Sequence, residues 1–144
     1  MLLDNLSDIE ILTLTIIGES RGEPIEGQVG VGCVIRNRAN AWKKSYPDIC
    51  LQPKQFSCWN DGDPNRVLLD DLAERMMLGN KFEVPSYIQC QFVARGIIKG
   101  EILDNTHGAL NYLTTELFKS DDKPSWAKNI VFAVTKGNQT FFRA

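Results

Sequence analysis

Ile17-Gly18-Glu19-Ser20-Arg21-Gly22-Glu23-Pro24, "IGESRGEP", puts two carboxylic acids and an arginine around two glycines, at the join between two apolar helical runs. On its N-terminal side, Ser7 and Glu10 have capping-box spacing, and Ile9, Leu12, Leu14, Ile16 and Ile17 recur at helical intervals, so a helix is expected over residues 7–19. On its C-terminal side Pro24 suits the first position of a second helix, which carries Ile25, Val29, Val31, Cys33, Val34 and Ile35 through "EGQVGVGCVIRNRANAW". Apolar residues on more than one side make this second helix central. Gly27, Gly30 and Gly32 each cost about 1 kcal/mol in a helix relative to alanine, so their number points to close approach by another element.

Working outward, "KKSYPDICLQPKQFSCWNDGDPN" has prolines, Asp-Gly and no sustained period; its Tyr46, Phe56 and Trp59 argue for an ordered surface loop. A third helix is expected from Asp63-Pro64, with Val67, Leu68, Leu72 and Met76, ended by Gly79. A fourth is expected from about Pro85 to Lys99, with Ile88, Val93 and Ile97, ended by Gly100. The last third changes character. "ALNYLT" reads as a short strand, and "NIVFAVTKGNQTFFRA" as two β-rich runs around Lys136-Gly137-Asn138. The expected fold class is α+β, mainly α: a helical body with a small C-terminal antiparallel β-sheet, in one domain over residues 1–144.

A formal charge of -2 and a pI near 5.4 give no general attraction to nucleic acid or to an anionic membrane. No apolar run approaches the roughly 20 residues of a membrane helix, so no membrane insertion is expected. "MLLDNLSDIE" has neither the basic segment nor the long apolar run of a Sec signal, so the mature chain is expected to start at Met1. Cys33 and Cys90 fall on apolar helical faces and read as core filler, whereas Cys50 and Cys58 flank a loop and could pair if oxidised. With one histidine, His107, and no Cys-x-x-Cys pair, a zinc site is not expected, nor any other metal or cofactor.

Glu19 is the candidate for chemistry. A carboxyl at the end of an apolar helix, partly withdrawn from water, should hold its proton near neutral pH and serve as a general acid, although a solvated glutamate at a helix end has the same sequence signature. Arg21 could pair with either acid. Glu23, before Pro24, suits a carboxylate at a helix N-terminus.

"IIGESRGEPIEGQVGVGCVIRNRA" resembles the opening of the SleB-like cell wall hydrolase family, typified by the bacterial spore cortex-lytic enzyme. In that family a helix ends in Gly-Glu-(Ala/Ser)-Arg-Gly-Glu, here Gly18 to Glu23, and a small-residue helix closes on Asn-Arg, here Asn37 and Arg38. "YPDICLQPKQFSCWND" is similar to its segment ending in Gln-Phe-Ser, "DNTHGALNYLT" to its Asp-Pro-Thr-x-Gly-Ala stretch, and "PSWAKNIVFAVTKGNQTFFRA" to its closing hairpin. The four blocks keep their order over nearly the whole chain. Two positions depart: Asn105 stands for the usual proline, and His107 for a glycine or small polar residue.

The resemblance implies a lysozyme-like or resuscitation-factor-like body in which Glu19 is the catalytic acid. The implied reaction cuts the β-1,4 bond from muramic acid to glucosamine in the glycan strands of peptidoglycan. Gln55, Phe56, Ser57 and Trp59 are candidate cleft residues, since aromatic faces stack on sugars while amides and hydroxyls bond their substituents. His107 is either a wall residue or a catalytic partner, Tyr112 is open between core and cleft, and Trp126 is expected in the core.

Ordinary glycoside hydrolysis needs a second carboxylate, and spacing does not choose among Glu23, Asp61 and Asp63. The resemblance points instead to a lytic transglycosylase, in which one glutamate acts as acid and then as base. A zinc amidase and a non-catalytic peptidoglycan-binding module are the rival classes. A wall-cutting monomer without a Sec signal is expected as a phage endolysin held in the host cytoplasm until release, or as a hydrolase carried in a virion.

Overall fold

The computed structural model describes residues 2–79, 85–128 and 130–143. Met1, the expected start of the mature chain, and Asn129 and Ala144 of the closing hairpin block lie outside the described residues.

Helix α1 (Asp8–Ser20) starts as expected: the Glu10 amide donates to Ser7 Oγ at 3.2 Å and the Ser7 amide to Glu10 Oε1 at 2.8 Å, the reciprocal pair of a capping box. Every residue from Ile11 to Ile17 is buried, so α1 shares the central place that the sequence assigns to the second helix. Its two buried threonines remain satisfied because Thr13 donates to the Ile9 carbonyl and Thr15 to that of Ile11. Helix α2 (Ile25–Trp42) follows with Pro24 as N-cap rather than first helical residue, a shift of one position. Its glycines do admit neighbours. The Phe141 ring lies where a Cβ on Gly30 would have to go, and Ile97 and Ile16 crowd Gly32.

The stretch expected as a surface loop is instead a wall of the core. It folds into α3 (Tyr46–Cys50) and a 3-10 turn (Ser57–Trp59), and it buries Ile49, Cys50, Phe56, Cys58 and Trp59. Trp59 Nε1 donates to Thr15 Oγ1 at 3.0 Å, tying the wall to α1. Helix α4 (Pro64–Met77) is capped by Asp63, whose carboxylate accepts from the Asn65 amide at 2.8 Å, and is followed by Gly79 at φ +72°. Helix α5 (Pro85–Ile98) is followed by Gly100 at φ +74°. The buried residues of α4 are Leu69 and Ala73, with Val67 and Leu68 exposed, and Ile88 of α5 is exposed as well.

The C-terminal third forms β1 (Asn111–Thr114), a short α6 (Thr115–Lys119) that the sequence reading does not resolve, β2 (Val131–Lys136) and β3 (Gln139–Arg143). The strands pair antiparallel in the order β1-β3-β2, with Tyr112 opposite Phe141 and Thr114 opposite Gln139. Cross-strand partners share a face, so Tyr112, Thr114, Gln139 and Phe141 all lie on the side that packs on α2 through Phe141 and Gly30. The mainly helical α+β architecture is therefore the expected one.

Candidate active site

Glu19 sits in the last turn of α1, and its neighbour Gly18 explains how a second element reaches it. A Cβ on Gly18 would fall 2.6 Å from Cys58 Cβ and 2.9 Å from Leu69 Cδ1, so only glycine lets the 3-10 turn and α4 pack this close. The approach brings the Cys58 amide to 3.4 Å from Glu19 Oε2.

The turn after Glu19 is held from below by a residue the sequence reading passes over. The amide nitrogen of buried Gln28 lies within 3.2 to 3.4 Å of the carbonyls of Ser20, Arg21 and Glu23, and its oxygen accepts from Gln89 at 2.9 Å. Carbonyls at a helix end and in the turn that follows lack partners within the helix, and a single side-chain amide reaches three carbonyls of this turn. Arg21, expected to pair with one of the acids, donates to the Ile17 carbonyl at 3.3 Å. Glu23 does not act simply as a helix-start carboxylate. Its two oxygens accept from the backbone and side-chain nitrogens of Asn138, at 2.9 and 3.0 Å, clamping the β2–β3 turn onto the α1–α2 turn.

Tyr112 settles into the site. Its hydroxyl donates to Glu19 Oε1 at 2.7 Å, across 93 positions of sequence. Burial, reinforced by the Glu19 charge, pushes the phenol well above its ordinary range, so it keeps its proton and remains a donor. The Asn-Arg pair that ends the second helix motif positions this strand. Asn37 Nδ2 donates to Asp104 and to the Ala109 carbonyl, while Arg38 Nε donates to the Leu110 carbonyl at 2.7 Å. Arg38 also reaches Gln55 and Asn111, and its guanidinium lies over the rings of Phe56 and Trp42. One arginine thus joins three sequence blocks around the acid.

Glu19 lines two cavities. The larger, about 460 Å³, is walled by the 18–23 turn together with Asn65, Thr114 and Gln139. The smaller, about 250 Å³, is walled by Arg38, Lys54, Gln55, Phe56, Asn111, Tyr112 and Trp126. Of the expected cleft residues, Gln55, Phe56 and Tyr112 line the smaller cavity and Glu23 the larger. Ser57, Trp59 and His107 line neither: Trp59 is bonded into the core, and His107 is exposed on the 101–110 loop at φ +56°. Trp126, expected in the core, is 42% exposed and lines the smaller cavity. Arg38, Lys54, Asn111, Asn65, Thr114 and Gln139 are additions to the sequence-derived set.

The third block serves as a brace. Burial works against the Asp104 charge, but hydrogen bonds from Thr106, Gly108 and Asn37 outweigh it and hold the carboxyl below its ordinary range. All four cysteines are free and buried, including Cys50 and Cys58. Burial pushes the thiols of Cys33 to about 11 and of Cys50 and Cys90 to about 12, and Cys58 higher still with the Glu19 charge beside it. Such thiols are unreactive at neutral pH. Among the described residues, no three His, Cys, Asp or Glu side chains converge as a ligand set for a metal ion, and no helix is long and apolar enough to cross a membrane.

Residues 22–142 match the Cell Wall Hydrolase family model. The match begins three residues after Glu19, so the case for that residue rests on its geometry and on the flanking motif. The chain is 40% identical over 60 residues to a spore cortex-lytic enzyme of Oceanobacillus iheyensis, covering 39% of this chain and 21% of the relative. It is 38% identical over 76 residues to that of Halalkalibacterium halodurans, covering 50% and 22%. It thus aligns with about a fifth of the length of these curated relatives. In three dimensions it resembles the catalytic domain of the germination-specific lytic transglycosylase SleB from Bacillus anthracis, with a TM-score of 0.64 at 22% identity over 97% of this chain and 98% of that one. It also resembles the SleB catalytic domain of Bacillus cereus, with a TM-score of 0.65 at 22% identity over 94% and 89%. These two likenesses support the fold, and the family match over residues 22–142 shows that this chain belongs to the cell wall hydrolase family.

Proposed function

We propose that this enzyme is a peptidoglycan lytic transglycosylase, cleaving the β-1,4 bond between N-acetylmuramic acid and N-acetylglucosamine with Glu19 as its one acid and base. The observation that carries the reading is that Glu19 lies between two cavities, with the Tyr112 hydroxyl 2.7 Å from one oxygen. A sugar in each cavity would place the connecting bond at this carboxyl.

With Oε1 taken by Tyr112 at 2.7 Å and Oε2 in a longer contact with the Cys58 amide, Oε2 is the oxygen suited to carry the transferable proton. It protonates the bridging oxygen, the muramic C1–O bond breaks, and the glucosamine leaves with a 4-hydroxyl. The resulting carboxylate removes the proton from the muramic 6-hydroxyl as its oxygen closes on C1, giving the 1,6-anhydro sugar and restoring the acid. No water is consumed. Capture within the same sugar has the advantage of held geometry over capture of a free water.

The alternatives for a second carboxylate favour this route. Both oxygens of Glu23 are engaged by Asn138. Asp63 caps α4, and exposed Asp61 faces Arg66 at 3.4 Å; neither lines a cavity with Glu19.

Mass spectrometry of products from purified peptidoglycan tests the proposal. Muropeptides ending in 1,6-anhydromuramic acid are expected, and Glu19→Gln should lower their formation at least ~100-fold while folding normally. Reducing muramic ends would mean a hydrolase, and cleavage at the lactyl amide would reject the glycosidase class.

A further inference from the structure

The two cavities at Glu19 differ in charge. The larger sets Arg21 against Glu23, whereas the smaller is lined by Arg38 and Lys54, with Glu19 as the one acidic residue on its walls. Arg38 is buried, and the oxygens it donates to are neutral: the Leu110 carbonyl at 2.7 Å, Asn111 Oδ1 at 3.3 Å and Gln55 Oε1 at 3.4 Å. The ion pairs among the described residues join Arg66 to Asp61 and Asp70, and Arg75 to Asp71, so neither cation of the smaller cavity is offset by one. Burial lowers the Arg38 pKa from the ordinary arginine range, yet a guanidinium keeps its charge at neutral pH. A cleft lined by one sign of charge, with part of that charge held away from water, focuses its field on a ligand of the opposite sign.

Arg38 also fixes the sense of two amides. A guanidinium donates and never accepts, so Gln55 and Asn111 turn their oxygens to it, and each keeps its NH2 group for another partner. Both line the smaller cavity, as does exposed Lys54 with the three donors of its ammonium. Around Glu19 on this side the polar side chains therefore offer donors and positive charge. Of the two sugars in a strand, glucosamine is neutral. Muramic acid carries a lactyl arm that ends in a carboxyl, or in a peptide with carboxyls of its own.

Building on the transglycosylase reading, we propose that the smaller cavity takes the muramic acid and that Lys54 is a specificity-determining residue, its ammonium pairing with a carboxylate on the lactyl arm. Arg38 supports this pair through its field, because its own donors are engaged within the protein. The neutral glucosamine then falls to the larger cavity, and the difference in charge sets which way the strand lies across Glu19.

Lys54→Gln removes the charge and keeps a hydrogen-bonding end, and both side chains are unbranched at Cβ, so the exposed position at φ +66° accepts either. On soluble glycan strands carrying carboxylates, KM is expected to rise roughly fivefold with kcat within a factor of two, while Lys54→Arg stays near wild type. On the same strands with their carboxyls converted to neutral methylamides, wild type and Lys54→Gln should have the same KM. Peptide-free strands with the lactyl carboxyl exposed and strands that keep their peptides are assayed side by side. A penalty on either that vanishes on its amide sustains the proposal, and the substrate that shows it tells the lactyl carboxyl from a carboxyl of the peptide. No penalty on either, or an equal penalty on the neutral strands, overturns it. Failure of the transglycosylase reading itself would appear separately, in the products of the unmodified enzyme. In that event, binding of the same strands to Glu19→Gln protein, with and without Lys54→Gln, still measures the contact: weaker binding of the charged strands alone sustains it and equal binding overturns it.

Discussion

The two cavities at Glu19 are built of different chemistry. The larger is walled by the 18–23 turn, with its charged Arg21 and Glu23, and by Asn65, Thr114 and Gln139, with no aromatic ring among the described residues that line it. The smaller is lined by Phe56, Tyr112 and Trp126, with Arg38 and Lys54 among them. Stacking surfaces and hydrogen-bonding surfaces hold a sugar in different ways, through its ring face or through its substituents. A glycan lying across Glu19 would therefore meet the exposed indole of Trp126 on one side and hydrogen-bonding groups on the other. The acid belongs to both sides, and the tyrosine that orients it belongs to the aromatic one.

The largest expected effect within this comparison comes from Tyr112→Phe. The ring stays to pack on Phe141, 5.9 Å away between centroids, while the hydrogen bond to Glu19 is lost. Hydrogen bonds to charged groups contribute about 1.5–3 kcal/mol, so kcat should fall roughly ten- to a hundredfold with KM little changed. Steady-state kinetics on glycan strands read this directly. A full-rate Phe variant would mean that Glu19 is oriented by something else and that the aromatic cavity contributes binding alone.

What was legible in the sequence is what local chain chemistry determines. The Ser7–Glu10 capping box, the glycines after α4 and α5, and the Gly137-Asn138 turn each act over a few residues, and each is found where read. Glu19 was legible for the same reason, since its place at a helix end is a local fact. Its partner was not: Tyr112 lies 93 positions away, and the Arg38 and Asn37 bonds to the 104–111 stretch, with the pairing of β1 to β3, bring it over. The residues of "QFSCW" mislead because a 3-10 turn sends neighbours in different directions. Phe56 and Trp59 both enter the core, Phe56 beneath Arg38 at the floor of the smaller cavity and Trp59 against Thr15, while Ser57 goes to solvent. Trp126 falls in a proline- and charge-rich stretch with no period to say which way it faces, and a lone tryptophan there reads as core until the fold exposes it.

Trp126→Ala tests the aromatic side by itself. The indole packs edge-on against Phe142, at 6.1 Å between centroids, and presents the rest of its surface to solvent at the cavity. Aromatic pairs contribute about 0.5–1.5 kcal/mol beyond area burial, and a stacked sugar of similar strength implies a KM raised roughly two- to tenfold with kcat held. Trp126→Phe should recover part of the loss. A change in kcat with KM fixed would move Trp126 from the sugar-binding surface to the support of β3.

Glu23→Gln should have the smallest effect, and it probes the polar side. In the wild type one carboxylate oxygen accepts from the Asn138 backbone nitrogen and the other from its side-chain nitrogen, so the residue behaves as a clamp between two turns. Glutamine keeps an oxygen for the Asn138 backbone nitrogen, and a half-turn of the Asn138 side-chain amide lets its oxygen accept from the glutamine NH2, so what is lost is the charge on the acceptor. The loss is about 1 kcal/mol of stability at this exposed site, and the turn carrying Glu19 is otherwise still held by Gln28. A modest drop in thermal midpoint is expected, with kcat on glycan strands within a few fold of wild type and far above Glu19→Gln. Double substitution with Asn138→Ala should be nearly additive in kcat but not in stability, because the two side chains share a bond and not a reaction step. A kcat for Glu23→Gln as low as that of Glu19→Gln would assign Glu23 to the chemistry, and the larger cavity would then hold the second carboxylate of a hydrolase.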